Sequence, residues 1–572
     1  MYLGIDLGTT NTVVSRSFVD SDNKLITEIV QIGQYYNDNW EKFDTLPSMV
    51  YFDMEGVVGG TEGGIIVGRE AKRQREQDKE NVVSNAKRFM GTQHTWEIDG
   101  KRYEAKDIAA MVLQHCKKTI EREGNMNYET VVITVPASFN PEQIEDTLKA
   151  AKQAGFQDDQ VIIKHEPTAA LLSFIDGEAK KSKQERYVDF TETKRVLVFD
   201  LGGGTCDTSV IDVQVGDRDL HFTEVGIGRY QELGGIDFDD RLAEGLLNTY
   251  YRENNILEGT LTSQEQKELY DKLLLAAETI KEKLSGSIYT KLSMDDSVDI
   301  ENIQVKLNVP NFHNGKPYRI SLTKGDYDQY TQALYIDDNI RYKKFDDMDK
   351  HKNIMGVIRK TLEDYGISKS SIDYVFMTGG MSKFVTIREK LEAYMGKPVI
   401  TPENPMDAVA RGASIYQYYR VKEDKKERGD AKEGEKLSSD EGIVDTMMLA
   451  EAVLLDMNEG LPKVIIPKKT IVPYEGEIIG EFKTTSPAGV KLNIYAAENE
   501  KDSSMRIQKC IEKFFNFPVE SGTPFDIKYQ INENKSINIQ IIVNDSHRQE
   551  LDISIRSDLK ISEQNYKIMI EE

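Results

Sequence analysis

The chain has 572 residues, 39% of them hydrophobic and 30% charged, with a formal net charge of -24. That length exceeds what one core usually holds and predicts two to four domains of ordinary globular composition. The acidic balance argues against general binding to nucleic acid or an anionic membrane, since both need basic surface, and no run approaches the roughly 18 apolar residues of a membrane span.

Cys116, Cys206 and Cys510 lie far apart, with no metal-ligand spacing and no disulfide framework. Reduced thiols in a cytoplasmic protein are the expectation. The first strand begins at Met1 or Tyr2, which leaves no room for a signal peptide. Residues 2–7 and 11–16 read as a β-hairpin around Gly8-Thr9-Thr10. Asp6 ends the first strand, and Thr9, Thr10 and Asn11 offer hydroxyl, amide and backbone donors; a tight hairpin whose polar groups satisfy only local backbone fits as well. Lys87, in Lys87-Arg88-Phe89-Met90-Gly91, follows a highly charged segment and by composition belongs to a solvated face.

Val131-Val132-Ile133-Thr134-Val135-Pro136 is a buried-strand pattern. Pro141-Glu142-Gln143 opens a helix that runs to Ala154, with Gly155 as its C-terminal stop. Val161-Ile162-Ile163 is the next strand, and Glu166-Pro167-Thr168 leads into a second helix from about Ala169. This is an α/β rhythm. Glu166 stands at a strand end, where ligand-facing groups gather, or serves as an N-terminal charge on the helix. After a polar excursion over 178–194, the strand Val196-Leu197-Val198-Phe199 enters Asp200-Leu201-Gly202-Gly203-Gly204-Thr205-Cys206-Asp207. Three glycines let the backbone turn tightly and present its N–H groups. Thr205 adds a hydroxyl, and Asp200 and Asp207 add carboxylates, a set suited to a metal-bound phosphate.

Gly234-Gly235 precede a helix, a natural anion site, although Asp237, Asp239 and Asp240 in its first turn also complement the helix dipole. Residues 264–285 repeat apolar residues as a long amphipathic helix. One of its faces carries Glu278, Lys281 and Ser285, which would also make an ordinary surface ion pair. Residues 288–330 alternate as a small β-rich subdomain. A third strand–glycine turn is Ile372–Thr378 into Gly379-Gly380-Met381-Ser382-Lys383, and Asn404-Pro405 opens a helix with small residues at Ala410, Gly412 and Ala413. Residues 420–447 read as a charged linker between an α/β domain of residues 1–419 and an all-β domain, a sandwich, of residues 448–572. No helical segment is expected after the β domain.

Two strand–turn phosphate loops, each with an Asp at the strand end, suggest a duplicated fold of two lobes, as in the actin, sugar-kinase and heat-shock ATPase superfamily. Within it the chain resembles the 70-kDa heat-shock chaperones of the DnaK type. The resemblance rests on Gly4–Thr12, Val131–Phe139, Glu166–Ala170, Asp200–Asp207, Leu233–Asp239, Ala277–Ser285 and Asn404–Ala413, and more weakly on Ile466–Pro473 and Gly522–Asn532 of the β domain. It implies an actin-like ATPase fold followed by a peptide-binding β domain. It also implies ATP or ADP with Mg²⁺ and K⁺ as cofactors, and as partners extended peptides, a J-domain co-chaperone and a nucleotide exchange factor. By position, Asp6 and Asp200 would hold Mg²⁺ through water, and Asp207 would place the attacking water or a monovalent cation. Thr9, Thr10 and Asn11 would contact phosphates. Lys87 and Glu166 would stand beside the transferred group, and Thr205 would donate to it. Gly202, Gly203, Gly234 and Gly235 would let the backbone approach. Glu278, Lys281, Ser285, Gly380 and Lys383 match the adenosine pocket, with Lys383 where the family has Arg.

Three departures stand out. Ile144 replaces an arginine eight residues after Pro136 that couples nucleotide state to the substrate domain. Met406-Asp407 replaces the acidic pair after Asn404-Pro405. The interdomain linker fits Ile443-Val444-Asp445-Thr446-Met447-Met448 by spacing, with Asp445 inside the apolar run, while Val453-Leu454-Leu455-Asp456 fits it by type. These features set linker docking and J-domain stimulation apart from the family pattern. The reading is a slow, lidless, ATP-dependent chaperone-like protein. The alternatives are a nucleotide-bound recruitment module, a small-molecule kinase of the same superfamily and an actin-like filament.

Overall fold

The computed structural model describes residues 1–37, 39–54, 56, 64–122, 128–182, 184–216, 219–228, 232–257, 259–295, 298–335, 353–428, 442–457, 462–497, 509–545 and 548–554. They form two compact units. One comprises Met1–Arg195, Ser209–Arg229 and Asp407–Glu572, the other Val196–Thr208 and Tyr230–Met406.

In the first unit, one sheet runs in the order Val161–His165, Val131–Val135, Tyr2–Leu7, Asn11–Val19, Leu25–Ile29. The first three strands are parallel, and Tyr2–Leu7 turns back antiparallel onto Asn11–Val19 as the expected hairpin. All five residues of Val131–Val135 are buried, which is why that run is apolar without alternation. The helix Pro141–Gln153 starts at an Asn140 cap that exchanges hydrogen bonds with Gln143, with Pro141 in its first turn. The helix after Val161–His165 starts earlier than expected, at Glu166, because Pro167 is tolerated in a first turn.

The helix Ala408–Arg428 packs on this sheet and on helix Glu166–Ala179. Gly412 has no alternative there, since a Cβ would overlap Ala169 O. The hydroxyls of Ser15 and Ser17 each lie 2.8 Å from Ser414 Oγ. This helix runs through the start of the expected charged linker, whose Lys, Glu and Arg are good helix formers. Gly442–Met448 is a strand rather than solvated chain, paired in parallel with Asp219–Ile227 and antiparallel with Ile471–Val472. Residues 429–441, the middle of that stretch, lie outside the described residues. Val453–Leu455, the other linker candidate, is part of the buried strand Ala452–Leu455.

The C-terminal β region has two four-stranded sheets. One orders Lys463–Ile466, Ala452–Leu455, Gly489–Ala497 and Lys509–Phe514; the other orders Tyr474–Lys483, Pro524–Ile531, Ile537–Val543 and Gln549–Ser554. They share one hydrophobic cluster, with Val453, Ile466 and Ile494 from the first and Ile478, Ile527, Ile539 and Ile541 from the second. Alternate residues of Pro524–Ile531 point into it, the period-2 pattern of a half-buried strand. Residues 555–572, where no helix was expected, lie outside the described residues.

In the second unit, Lys194–Leu201, Tyr374–Thr378 and Val399–Ile400 are parallel neighbours. The helix Gly235–Glu253 packs on Ser263–Met294, which a Thr262–Glu265 capping box opens. That second helix runs to Met294, well past 285, so the expected β-rich stretch is helical at its start. Only then come the hairpin Gln304–His313 with Lys316–Thr323 and the helix Lys324–Thr331. Among the described residues no helix is long and apolar enough to cross a membrane.

Candidate active site

Each unit gathers its share of the candidate residues at the C-terminal ends of its parallel strands. In the first unit Asp6 stands near the end of Tyr2–Leu7, and Thr134 on the neighbouring strand donates to Asp6 Oδ1 at 3.4 Å. Thr9 and Thr10 follow in the turn. Among the described residues their hydroxyl oxygens are buried without a protein partner, as is that of Thr168. Asn11 opens the return strand.

Lys87 is not on a solvated face. It lies in the short 3-10 turn Ala86–Phe89, 7% exposed, with Nζ 2.5 Å from Glu166 Oε1. Glu166 itself is 6% exposed. The Asp6 carboxyl is pushed up to about 7, chiefly by burial and then by the Glu166 charge, against the pull of Lys87 and Thr134. A buried cation and two carboxylates therefore meet at one end of one sheet, and three hydroxyls unmatched among the described residues stand on the turn and helix that follow its strands. Such unmatched buried hydroxyls call for a polar ligand.

In the second unit the strand Lys194–Leu201 delivers Asp200, 8% exposed, to the turn Gly202-Gly203-Gly204. Thr205 and Asp207 follow it, also buried. The helix Gly235–Glu253 docks its N-terminus on this turn. Gly235 N donates to Gly202 O at 3.0 Å and Ile236 N to Gly203 O at 2.7 Å. A Cβ on Gly234 would sit 2.6 Å from Gly204 N and 2.8 Å from Gly202 O, so only glycine lets two stretches of backbone come this close. The Gly234 N–H is itself taken by Asp237 Oδ2 at 2.7 Å.

The expected adenosine residues also lie together. Ser285 Oγ donates to Lys383 O at 3.3 Å, and a Cβ on Gly235 would meet Lys281 Nζ and Met381 Sδ. Lys281 is held by Asp239 Oδ2 at 2.5 Å and by Gly235 O at 2.9 Å. Its partner is thus an acid of the second turn of the helix Gly235–Glu253, beyond the first turn in which it was expected, and the spacing of Glu278 and Lys281 did not reveal its nearness. Burial pushes the Asp239 carboxyl up to about 7 against the pull of Lys281. Gly380 faces Met406 Sδ, 3.3 Å from where its Cβ would be. Thr134, Thr168, Asp239 and Met406 were not singled out from sequence as parts of these clusters, because each acquires its place only through a partner on another element. Among the described residues no three His, Cys, Asp or Glu side chains converge to bind a metal directly.

A family model described as Hsp70 protein matches residues 2–98, 93–314 and 326–572. The chain belongs to the Hsp70 family. Members of that family are chaperone-like ATPases that bind ATP or ADP with Mg²⁺, and typically engage peptide substrates and J-domain co-chaperones. In this Hsp70 Ile144, where the resemblance implies an arginine, is 1% exposed within the helix Pro141–Gln153. An arginine cannot be accommodated there without a partner for its charge.

Proposed function

We propose that this Hsp70 hydrolyses ATP to ADP and phosphate, slowly, and uses the difference between the two states to gate an extended peptide at its C-terminal β region. The observation that carries the reading is the buried Lys87–Glu166 pair beside Asp6, with the unmatched hydroxyls of Thr9 and Thr10 at the same strand ends. A phosphate chain supplies the acceptors these hydroxyls lack. Lys87 stabilises charge on the transferred phosphoryl group, and Glu166 positions the attacking water. Asp6 and Asp200 would hold Mg²⁺ through water, as suits an ion that keeps several of its waters. That ion neutralises phosphate charge when bound. Thr205 donates to the phosphoryl group, and Asp207 orients water or a K⁺ ion. The Gly202, Gly203, Gly234 and Gly235 backbone admits phosphate closely. Glu278, Lys281, Ser285, Gly380 and Lys383 receive the nucleoside. The partners are unfolded or extended peptide segments, a J-domain co-chaperone and an exchange factor.

Turnover of the Lys87→Ala and Thr205→Ala variants, with and without a model unfolded peptide, tests this. Each should lose most turnover while still binding nucleotide. A wild-type protein with an intact fold and no nucleotide affinity would overturn the reading. A second reading, a nucleotide-bound recruitment module with little hydrolysis, draws on Ile144 in the core and Met406 against Gly380. It predicts that unfolded peptides leave turnover unchanged.

A further inference from the structure

The first unit buries a second cluster of ionisable groups, away from Asp6. The turn of residues 532–536 in the C-terminal β region lies against the N-terminal sheet. Asn534 Oδ1 accepts from Ile163 N at 3.2 Å, and Arg420 Nη2 pairs with Glu533 Oε2 at 2.7 Å. Between these contacts sits Lys535, at φ 54°, a conformation that L side chains rarely adopt, and only 1% exposed. Its Nζ donates to Ala137 O at 3.4 Å, a long contact for an ammonium with three donors.

The acids within reach already have partners. Glu224, on Asp219–Ile227, receives His165 Nδ1 on Oε1 at 2.5 Å and Met448 N on Oε2 at 2.9 Å. Asp445, on Gly442–Met448, is paired with Lys164 of Val161–His165. Burial lowers His165 and keeps it a neutral donor to Glu224, whose own carboxyl is held below its usual range by His165 and Lys535 against the effect of burial. His165 Nε2 and Asp445 Oδ1 are buried without a protein partner among the described residues. The seam is polar and incompletely matched, and Lys535 is the cation brought to it by the β region.

We propose that Lys535 makes the seating of the β region on the strand Val161–His165 a proton-linked equilibrium, in which the seated form is favoured when Lys535 gives up its charge. The ammonium is the costly part of the seated form, because among the described residues it has one long acceptor, Ala137 O, and the Glu224 charge that draws it is already shared with His165. The pH dependence follows. Burial pulls Lys535 from its usual 10.5 down to about 8. Below about 8 it is charged whether seated or not, and the full cost opposes seating. Between about 8 and 10.5 seating releases a proton, so it strengthens as pH rises, by up to about tenfold per pH unit. Above that window the dependence ends. Nothing in this rests on nucleotide chemistry, so it stands or falls apart from the ATPase reading.

Because the Ile163 amide donates to Asn534 of the turn, its hydrogen exchange reports seating directly. The full chain, without nucleotide, is followed by quenched-flow exchange from about pH 7 to about pH 9.5, with rates corrected for intrinsic base catalysis. Wild-type protection of Ile163 should rise by up to about tenfold per unit above pH 8. Lys535→Met should show higher protection than wild type at pH 7 and no rise. Lys535→Arg, which stays charged throughout, should show low protection and no rise, and it reads the charge even if the Met variant folds poorly. Flat or falling wild-type protection across the window, or a Lys535→Met slope equal to wild type, overturns the proposal.

Discussion

Replacing Lys87 with alanine separates a catalytic role from a structural one. The Lys87 and Glu166 side chains are 6% and 8% exposed and 2.5 Å apart. Removing one member of such a pair leaves the other charged and buried, at a cost of about 3–5 kcal/mol. If Lys87 also stabilises charge on a transferred phosphoryl group, its loss lowers turnover by about 100- to 1000-fold, about 3–4 kcal/mol in the barrier. The two effects part company in the double variant Lys87→Met with Glu166→Leu. Replacing both charges with apolar side chains of similar size should recover most of the stability, because a buried ion pair contributes little over an apolar substitute. It should recover none of the turnover. The measurements are urea unfolding and steady-state phosphate release under saturating ATP and Mg²⁺. If Lys87→Ala keeps turnover within about tenfold of wild type, or the double variant regains it along with stability, the pair is scaffolding and the catalytic assignment is wrong.

Three further outcomes are expected. Gly234→Ala should force the helix Gly235–Glu253 off the glycine turn, since the added carbon meets backbone at 2.6 Å and 2.8 Å; calorimetry should find nucleotide affinity at least about tenfold weaker, and unchanged affinity would show that the docked helix end is not part of the site. His115 is fully buried, with Nε2 2.7 Å from Gly33 O and its acidity set by burial to about 4 instead of 6.5. Its stabilising effect is therefore complete above pH 6.5 and is lost as pH falls towards 4, by about 3 kcal/mol. His115→Gln should flatten that acid limb in unfolding followed through Trp40, whose ring lies 6.2 Å from the histidine, and an acid limb as steep as wild type would refute the assignment. Asp445→Ala strands the Lys164 ammonium, 1% exposed, and should free the strand Gly442–Met448; amide exchange at Met448 unchanged from wild type would contradict this.

The parts of the fold that could be read in advance are those whose cause is local. Asn140-Pro141 with Gln143 is a complete helix-start signal, and four apolar residues with one threonine at 131–135, without alternation, read as a strand buried on both faces. Asp200–Asp207 was legible because three glycines after a strand have few uses. What was not legible depends on distant partners. Lys87 reads as solvated by composition, because its counter-ion is Glu166, 79 residues away. Lys281 and Glu278 read as a helix pair, because Asp239, 42 residues away, is invisible to spacing. The helix Ser263–Met294 overran its expected end because Gly286 weakens a helix without stopping it and Ile288, four residues after Leu284, is buried as well, whereas Tyr289 and Met294 beyond it are exposed and lack the amphipathic rhythm on which the expectation rested.

Asp445 shows how a departure can mislead when only one element is considered. An acid inside an apolar linker looks like an obstacle to docking, because a lone buried carboxylate is too costly to keep. The cost is removed when the same chain places a lysine opposite it. Lys164, next to last in its strand and 1% exposed, pairs with Asp445, while Ile443 and Met447 on either side of Asp445 are buried. Register then becomes specific. A slip of one residue would move Asp445 off Lys164 and turn every side chain of the strand to the other face, whereas an all-apolar linker could slide with less loss. Lys164, Asp445, Glu224 and Lys535 gather where the strand Gly442–Met448 and the turn of residues 532–536 meet the strand Val161–His165, so the same seam carries both the register-setting pair and the buried lysine of the β region.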